Sequence, residues 1–384
     1  MVAICFDFTA DLERLTSDIA GASSGDIEQA TLQAYRWYGL ASLGGRLSDF
    51  SVAERVASET IGRFGPREDL CLLKANLDFR FHRLGAVRAD LEAMKQRPQA
   101  RSVLADLDFQ EGRYEQARRE YEALITLDPV WDDMARLGHW YFKMGDLRAA
   151  DEWLERAGEE LTAKQMRSFA WVELQRGVLD LSCGDFNAAR GHYDRAARAY
   201  SGYWLVDEHV AELLAAEERF DEAEALYLSL IKRGEPRPEL LQTVGELYLM
   251  MDSPDADRFL DRALAAYLEP TSRGEVHYWH HLSDFYSDVR PDGAAAVKWA
   301  RKDLELRFNF NTQAAMGLAL SVSGSHDEAV RWVELALASG VRNAHLFSTA
   351  AKVFGAAGRS VKAGQWLIAA GKLNPHFERY QVHR

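Results

Sequence analysis

Cysteine, proline and long apolar stretches are all scarce in this chain of 384 residues. Its three cysteines, Cys5, Cys71 and Cys183, lie far apart, are odd in number and show no C-x-x-C spacing. This usage argues against a disulfide framework and favours a reducing compartment. Proline occurs only nine times, so it interrupts few helices.

Further absences argue against two classes of partner. No stretch approaches the roughly 18 uncharged apolar residues that span a bilayer, and Asp7 and Asp11 interrupt the apolar N-terminal run, which makes a poor secretory signal. We therefore expect no membrane partner and a cytoplasmic location. Asp and Glu number 59 against 46 Lys and Arg, a formal net charge of −13. This balance argues against a nucleic-acid partner and favours cationic partners.

Two series of small residues recur at a nearly fixed period. The first series is Ala105, Gly138, Gly177, Ala211, Gly245, Ser283, Gly317 and Ala351. The second series is Ala117, Ala150, Ala189, Ala223, Ala256, Ala295, Ala329 and Ala363. Steps of 33 to 39 residues within the first series indicate stacked supersecondary units that bury their apolar faces against one another.

Each unit has the pattern of a helix, a tight turn and a second helix. Around Gly138, apolar residues at spacings of three and four form one stripe, and Gly145-Asp146 then breaks the helix. Gly112, Gly184, Gly324 and Gly358 mark equivalent breaks, since glycine enters the left-handed region without a clash. The small residues are expected where paired helices approach most closely. The sequence therefore predicts an all-α solenoid.

The motifs resemble a known repeat. Leu137-Gly138-His139-Trp140-Tyr141, followed by Ala150 and Leu154, is similar to the tetratricopeptide repeat, a helix–turn–helix unit of about 34 residues. The resemblance covers about eight units in residues 98–377 and two degenerate ones in 26–97. It leaves residues 1–25 as a terminal arm or cap and 378–384 as a tail. It implies a right-handed superhelix whose first helices line a concave groove.

Carrying the family's inner positions over to this chain gives a candidate partner-binding groove. Its residues are Trp171, Glu208, Glu212, Glu239, Gln242, Glu246, His277, His280, Asp284 and Asp288. Earlier units add Asp132, His139 and Lys143 to the inner face, and a later unit adds Lys352. The middle of this groove is acidic, so we expect it to attract segments that carry Lys or Arg. Ordinary hydration of acidic helices is the alternative.

The densest polar feature runs from His277 to Asp288. On one regular helix, His277, His280, His281, Asp284 and Asp288 would share a single face. Three interpretations remain open at this point: a solvated face, a surface for a polar or cationic peptide, and a metal site formed by His277, His280, His281 and Asp284. A metal site on a single helix would be unusual, because tight geometry normally takes ligands from several elements.

No catalytic constellation is found. The G-x-S-x-G pattern at Gly21–Gly25 lacks the preceding strand that a nucleophile elbow needs. We therefore expect a non-enzymatic scaffold or adaptor, without a cofactor, that holds protein segments in its groove. A regulatory protein that senses a peptide or small ligand is the second hypothesis, and a metal-binding protein is the third. Homo-oligomerisation is compatible with the sequence.

Overall fold

The computed structural model describes residues 7–21, 25–234 and 237–379. Apart from one isolated bridge between Asp7 and Ser201, all regular structure in these ranges is helical. Helix α1 spans Phe8–Ala20, and the helices that follow form ten hairpins, which we call units 1 to 10. Each unit has a first helix, a turn that we call the tip, and a second helix. The all-α solenoid predicted from the sequence is confirmed.

The first five units have the following bounds. They pair α2 (Ile27–Gly44) with α3 (Leu47–Phe64), α4 (Glu68–Arg80) with α5 (Leu84–Leu91), α6 (Pro98–Gln110) with α7 (Tyr114–Leu127), α8 (Trp131–Met144) with α9 (Leu147–Glu159), and α10 (Met166–Cys183) with α11 (Phe186–Ala199). A short 3₁₀ turn, Glu92–Met94, extends α5.

The other five units continue the same alternation. They pair α12 (Trp204–Ala216) with α13 (Phe220–Arg233), α14 (Pro238–Met250) with α15 (Ala256–Ser272), α16 (Trp279–Asp284) with α17 (Gly293–Leu306), α18 (Phe310–Val322) with α19 (His326–Leu337), and α20 (Ala344–Ala356) with α21 (Ser360–Leu373). A π-helix, Phe285–Val289, prolongs α16. The division of the chain into arm, degenerate units, array and tail stays a prediction.

The recurring small residues lie where the two helices of a unit touch. A Cβ atom built on Gly138 would lie 3.0 Å from Leu154, and one on Gly245 would lie 2.5 Å from Leu260. Gly317 has the same relation to Val333, also at 2.5 Å. Larger side chains at these positions would push the helices apart, which is the physical reason for the period seen in the sequence.

The tips reverse the chain through a left-handed residue. Glycine fills this position at Gly112, Gly145, Gly184, Gly324 and Gly358, with φ between 71° and 89°. Among the described residues, His82, Glu218 and Asp252 adopt positive φ at the tips of units 2, 6 and 7 without being glycine. This backbone conformation costs most side chains about 1–2 kcal/mol per residue.

First and second helices differ in how much of their surface is covered. Helix α12 buries nine of its 13 residues and α18 also buries nine of 13, whereas α13 buries three of 14. A helix that is apolar on all sides must be surrounded by protein. The first helices therefore form the inside of the superhelix and the second helices its outer layer.

Successive turns of the superhelix contact each other along a line that we call the seam. At the seam, the tip of one unit meets the loop that opens the unit five or six places later. The Phe308 amide donates to the Gln110 carbonyl over 3.2 Å, and the Arg342 amide donates to the Met144 carbonyl over 3.3 Å. The tip glycine Gly45 packs against Trp204 in the same way. Successive turns of the superhelix are therefore in direct contact.

The first and the last described residues also lie at this seam. Asp7 accepts a hydrogen bond from the Ser201 hydroxyl at 2.9 Å, which fixes α1 to unit 6. After α21, His376 packs on Phe186 with ring centroids 5.0 Å apart, and Arg379 donates to the Ala216 carbonyl at 3.2 Å. The segment that follows unit 10 thus contacts units 5 and 6, as the opening loops of units 9 and 10 contact units 3 and 4.

Two other expectations concern single residues and membranes. Cys71 and Cys183 are free thiols, whereas Cys5 and Ser23 lie outside the described residues. Within the described ranges, no helix combines the length and the apolar character required to cross a bilayer.

Candidate interaction channel

The polar sides of the first helices face a narrow inner space, which we call the channel. His139 and Lys143 project into it from α8, and their side chains keep accessible surface. Nevertheless, surrounding protein desolvates both groups, so the pKa of His139 falls to about 3 and the pKa of Lys143 is also lowered. Partial exposure combined with strong desolvation is expected of side chains that face an enclosed space.

Units on opposite sides of the channel are electrostatically coupled. Burial raises the pKa of the Tyr38 phenol on α2, and the charges of Arg136 and Asp132 on α8 also act on it. Units 1 and 4 therefore face each other across a short distance.

The candidate groove residues on α12 prove to be buried. Glu208 is 5% exposed and forms an ion pair with Arg237, which also lies over the Trp204 ring at 4.2 Å. Glu212 is 1% exposed. The family resemblance implied an open groove for both residues, but both are buried here. In this closed state neither carboxylate is available to a partner.

The groove residues on α14 lie in a partly accessible network. Gln242 donates to Glu246 over 2.7 Å and accepts from the Tyr267 hydroxyl over 2.9 Å. Glu239, one turn earlier, is 28% exposed at its side chain, but its Oε2 atom is buried without a hydrogen-bond partner in the described structure. A carboxylate oxygen in that position calls for a donor.

The polar face of unit 8 is not one regular helix. His277 precedes the first residue of α16, and the π-helix begins immediately after Asp284. The expectation of a common face from His277 to Asp288 was wrong in this respect, because a π-turn rotates the residues that follow it. Asp284 is exposed, and Asp288 forms an ion pair of 3.0 Å with Lys352 on α20.

Three histidines of unit 8 are nevertheless brought together, and a fourth joins them from unit 2. The His280 and His281 ring centroids are 3.8 Å apart, and those of His277 and His281 are 6.4 Å apart. His82 contacts His277 at 4.7 Å and His280 at 5.3 Å across the seam. We call these four residues the histidine cluster.

Sequence reasoning missed His82. Spacing along a helix relates residues within one unit, whereas His82 reaches the others through the seam. One signal was present in the chain, because His82 takes the left-handed tip position that glycine takes in units 3, 4 and 5.

All four imidazoles are held in the neutral form. Burial is the main cause, and neighbouring positive charge adds to it: the pKa falls to about 4 for His277 and about 3 for His281, and lies well below its usual value for His82 and His280. Each ring also has a buried Nδ1 atom that makes no hydrogen bond in the described structure. The Glu239 carboxylate lies 3.9 Å from His281.

The metal hypothesis gains no support from this arrangement. Among the described residues, no three His, Cys, Asp or Glu side chains are grouped so that they could hold an ion. Asp284, the fourth ligand of that hypothesis, lies on the exposed side of α16.

The aromatic candidate, Trp171, takes part in packing between units. Its ring meets Trp131 edge to face with centroids 6.2 Å apart, and the side chain is half-buried. A role as a freely exposed anchor for a partner has no support in this closed state.

A second accessible region of the inner surface lies on units 2 to 4. It is a cavity of about 260 Å³ between α4, α6 and α8. Its charged residues are Asp128, Asp132, Asp133 and Arg136, so three carboxylates stand against one guanidinium group. Leu127, 64% exposed, lies at its edge and adds apolar surface.

The fold and channel define an α-helical repeat scaffold. Residues 98–130, which are unit 3, match the family model described as "Tetratricopeptide repeat". Hairpins of the same helix–turn–helix design continue on both sides of this tetratricopeptide match. Tetratricopeptide arrays generally serve as protein-interaction scaffolds, with extended concave surfaces built from stacked units.

The other comparisons add structural similarity. The chain is similar to a solved structure described as "Crystal structure of APC/C hetero-tetramer Cut9-Hcn1", with 14% sequence identity and a TM-score of 0.45. The similarity covers 96% of this chain and 78% of the other. No curated protein matches the sequence.

Proposed function

We propose that this protein is a non-enzymatic scaffold that binds partner segments carrying Lys or Arg along the acidic parts of its channel. The observation that carries the proposal is Glu239, a carboxylate on the inner face with a buried oxygen that lacks a donor. An arriving ammonium or guanidinium group would supply that donor, and charge-assisted hydrogen bonds are the stronger kind.

The surroundings of Glu239 support a cationic partner. The neighbouring imidazoles are neutral, so they do not compensate its charge. Asp284 adds negative charge on the next first helix, and the cavity of units 2 to 4 adds Asp132 and Asp133. Attraction between such a surface and a cationic segment mainly raises the association rate and weakens with salt.

The proposal is tested with fluorescent extended peptides that carry either Lys and Arg or Asp and Glu. We expect the cationic peptides to bind at low salt and the acidic ones not to bind. The double variant Glu239→Lys with Asp284→Lys should weaken binding by at least about tenfold, since each reversal replaces an attraction by a repulsion.

A matched control keeps the overall charge change equal. Asp221→Lys with Glu305→Lys makes the same change of +4 on exposed positions of the second helices α13 and α17. It should leave affinity within about twofold, because screening limits charge effects beyond about 10 Å. Equal losses in both double variants, or binding of acidic peptides, would rule out the acidic channel as the site.

The seam favours the sensor hypothesis as a second candidate function. Contacts between turns join units six places apart, so a ligand that changes the spacing of the turns would alter those contacts. A sensor should therefore change its radius of gyration in small-angle scattering when a cationic peptide saturates it. A static scaffold would show the same scattering profile of the protein with and without peptide.

A further inference from the structure

The seam contact between units 2 and 8 differs from its neighbours in chemistry. The next two contacts join backbone to backbone, at Gln110 with Phe308 and at Met144 with Arg342. At the unit 2 tip, a histidine side chain lies between the turns and packs against two other imidazoles with its ring tilted by 43° and 45°. Titratable rings thus replace a backbone contact at one point of the seam.

The charges around the cluster oppose its protonation. Arg80 of α4 and Arg307, in the loop after α17, both act on His82. Asp303 partly neutralises Arg307 through two hydrogen bonds of 2.7 Å. Arg83, beside His82 in the chain, is bound to Glu54 and Asp78.

The remaining groups around the cluster are two phenols and the carboxylates of Glu239, Glu246 and Asp284. Tyr267 of α15 stacks on His281 with centroids 5.3 Å apart, and Tyr278 packs on His277 and His281. Both phenols are neutral, because burial raises their pKa above the usual value. Glu239, 3.9 Å from His281, can balance one added proton, while Glu246 and Asp284 act on the Tyr267 phenol.

We propose that the histidine cluster is a proton-operated clasp between two turns of the superhelix. It holds the turns of units 2 and 8 together while the imidazoles are neutral, and it releases them when the rings are protonated. Proton binding drives this change. Separation of the two turns then gives access to the channel beside Glu239. This proposal is independent of the partner proposed above, because the free protein should show it.

The physical argument for release is linkage. In the closed seam the rings bind protons poorly, whereas rings exposed by opening should titrate near the ordinary value of about 6.5. Below that pH, opening takes up protons, so acidification favours the open form. For each such histidine, the opening equilibrium shifts by up to about tenfold per pH unit.

The test is hydrogen exchange of the full chain between pH 7.5 and 4.5, corrected for intrinsic exchange rates. We expect protection of residues 79–84 and 276–282 to fall at least about tenfold below pH 6, while the amide of Phe308 stays protected. Small-angle scattering should show an increase in radius over the same range. Unchanged protection of both segments down to pH 4.5, with helicity intact, would overturn the clasp.

Two variants and one control identify the groups responsible. His82→Gly introduces the residue that units 3 to 5 use at the same tip position, so the backbone is not strained. Together with His280→Asn, it should remove at least half of the pH-dependent loss of protection. His326→Gln, at the start of α19 and outside the cluster, should leave the transition as it is in the parent protein.

Adding zinc to the same experiment distinguishes the proton-operated clasp from a metal site. The experiment is repeated with excess zinc and with a chelator. The clasp requires the same transition in both conditions. A transition that zinc moves by more than about one pH unit, with stoichiometric zinc uptake by the parent protein and none by the double variant, would replace the clasp by a metal site.

Discussion

The tips that face the seam and the tips that face open space use the same residue for different reasons. Gly112 of unit 3 and Gly324 of unit 9 have nearly equal φ values, 79° and 84°. A Cβ on Gly112 would lie 2.6 Å from the Phe308 carbonyl oxygen, whereas one on Gly324 would meet nothing within 4 Å. At Gly324 the backbone alone requires glycine, but at Gly112 the packing between turns requires it as well.

This difference shows that one residue in a repeat protein can meet two requirements, the local turn of its own unit and the contact between turns of the superhelix. Every tip has to reverse the chain, so the left-handed position recurs in most units. Contact between turns then adds a second requirement at the early tips, where a unit five or six places later is present. The later tips have no such neighbour among the described residues.

The largest expected effect comes from Gly112→Ala. The side chain would combine a left-handed penalty of about 1 kcal/mol with a clash against backbone that cannot rotate away, which costs about 1–3 kcal/mol. We therefore expect a loss of about 2–4 kcal/mol in urea unfolding. The Phe308 amide, which donates to Gln110, should also lose hydrogen-exchange protection. Full protection of that amide in the variant would contradict the seam.

The local part of this architecture was predictable from the sequence, because its causes repeat within each unit. At Gly138, Gly245 and Gly317 a side chain would collide with the paired helix. Their regular spacing in the sequence therefore predicts the hairpins. The glycine breaks at Gly145 and Gly184 likewise follow from the geometry of one turn.

The long-range part was not predictable in the same way. The seam joins residues about 200 positions apart, and its register depends on small rotations between units that accumulate over six of them. For that reason Glu208 and Glu212 were expected in an open groove but are buried. The π-helix at Phe285–Val289 was not predicted either, because the sequence shows no break at which the helical period changes.

The second largest expected effect is a loss of folding stability at low pH, caused by His277 at the seam. The folded pKa of His277 is about 4, below its ordinary value of 6.5, so the unfolded chain binds more protons between these limits. Stability should therefore fall as pH decreases through this window, by about 2 kcal/mol at pH 5 from this residue alone.

The measurement is the difference between the parent protein and His277→Gln in urea unfolding at pH 7.5 and pH 5. The variant should lose about 2 kcal/mol less on acidification, because carboxylates elsewhere contribute equally to both proteins. Parallel losses would show that the imidazole gains its proton as easily in the folded chain as in the unfolded one.

A smaller effect is expected at the free tip of unit 9. Gly324→Ala should cost about 1 kcal/mol, the left-handed penalty without a clash. It should leave the radius of gyration and the protection of Phe308 as they are in the parent protein. A cost equal to that of Gly112→Ala would remove the distinction between the two kinds of tip.

The smallest effects arise where a tip already carries another residue. Asp252 of unit 7 has φ 51°, so Asp252→Gly relieves a modest left-handed penalty and should stabilise the protein by about 0.5 kcal/mol. His82→Gly relieves a similar penalty but removes the ring contacts with His277 and His280, so at pH 7.5 we expect it to gain less than Asp252→Gly. At pH 5 the order should reverse, because His82→Gly also removes a ring that opposes protonation of its neighbours. The same order at both pH values would mean that the His82 ring contributes only its shape to the seam.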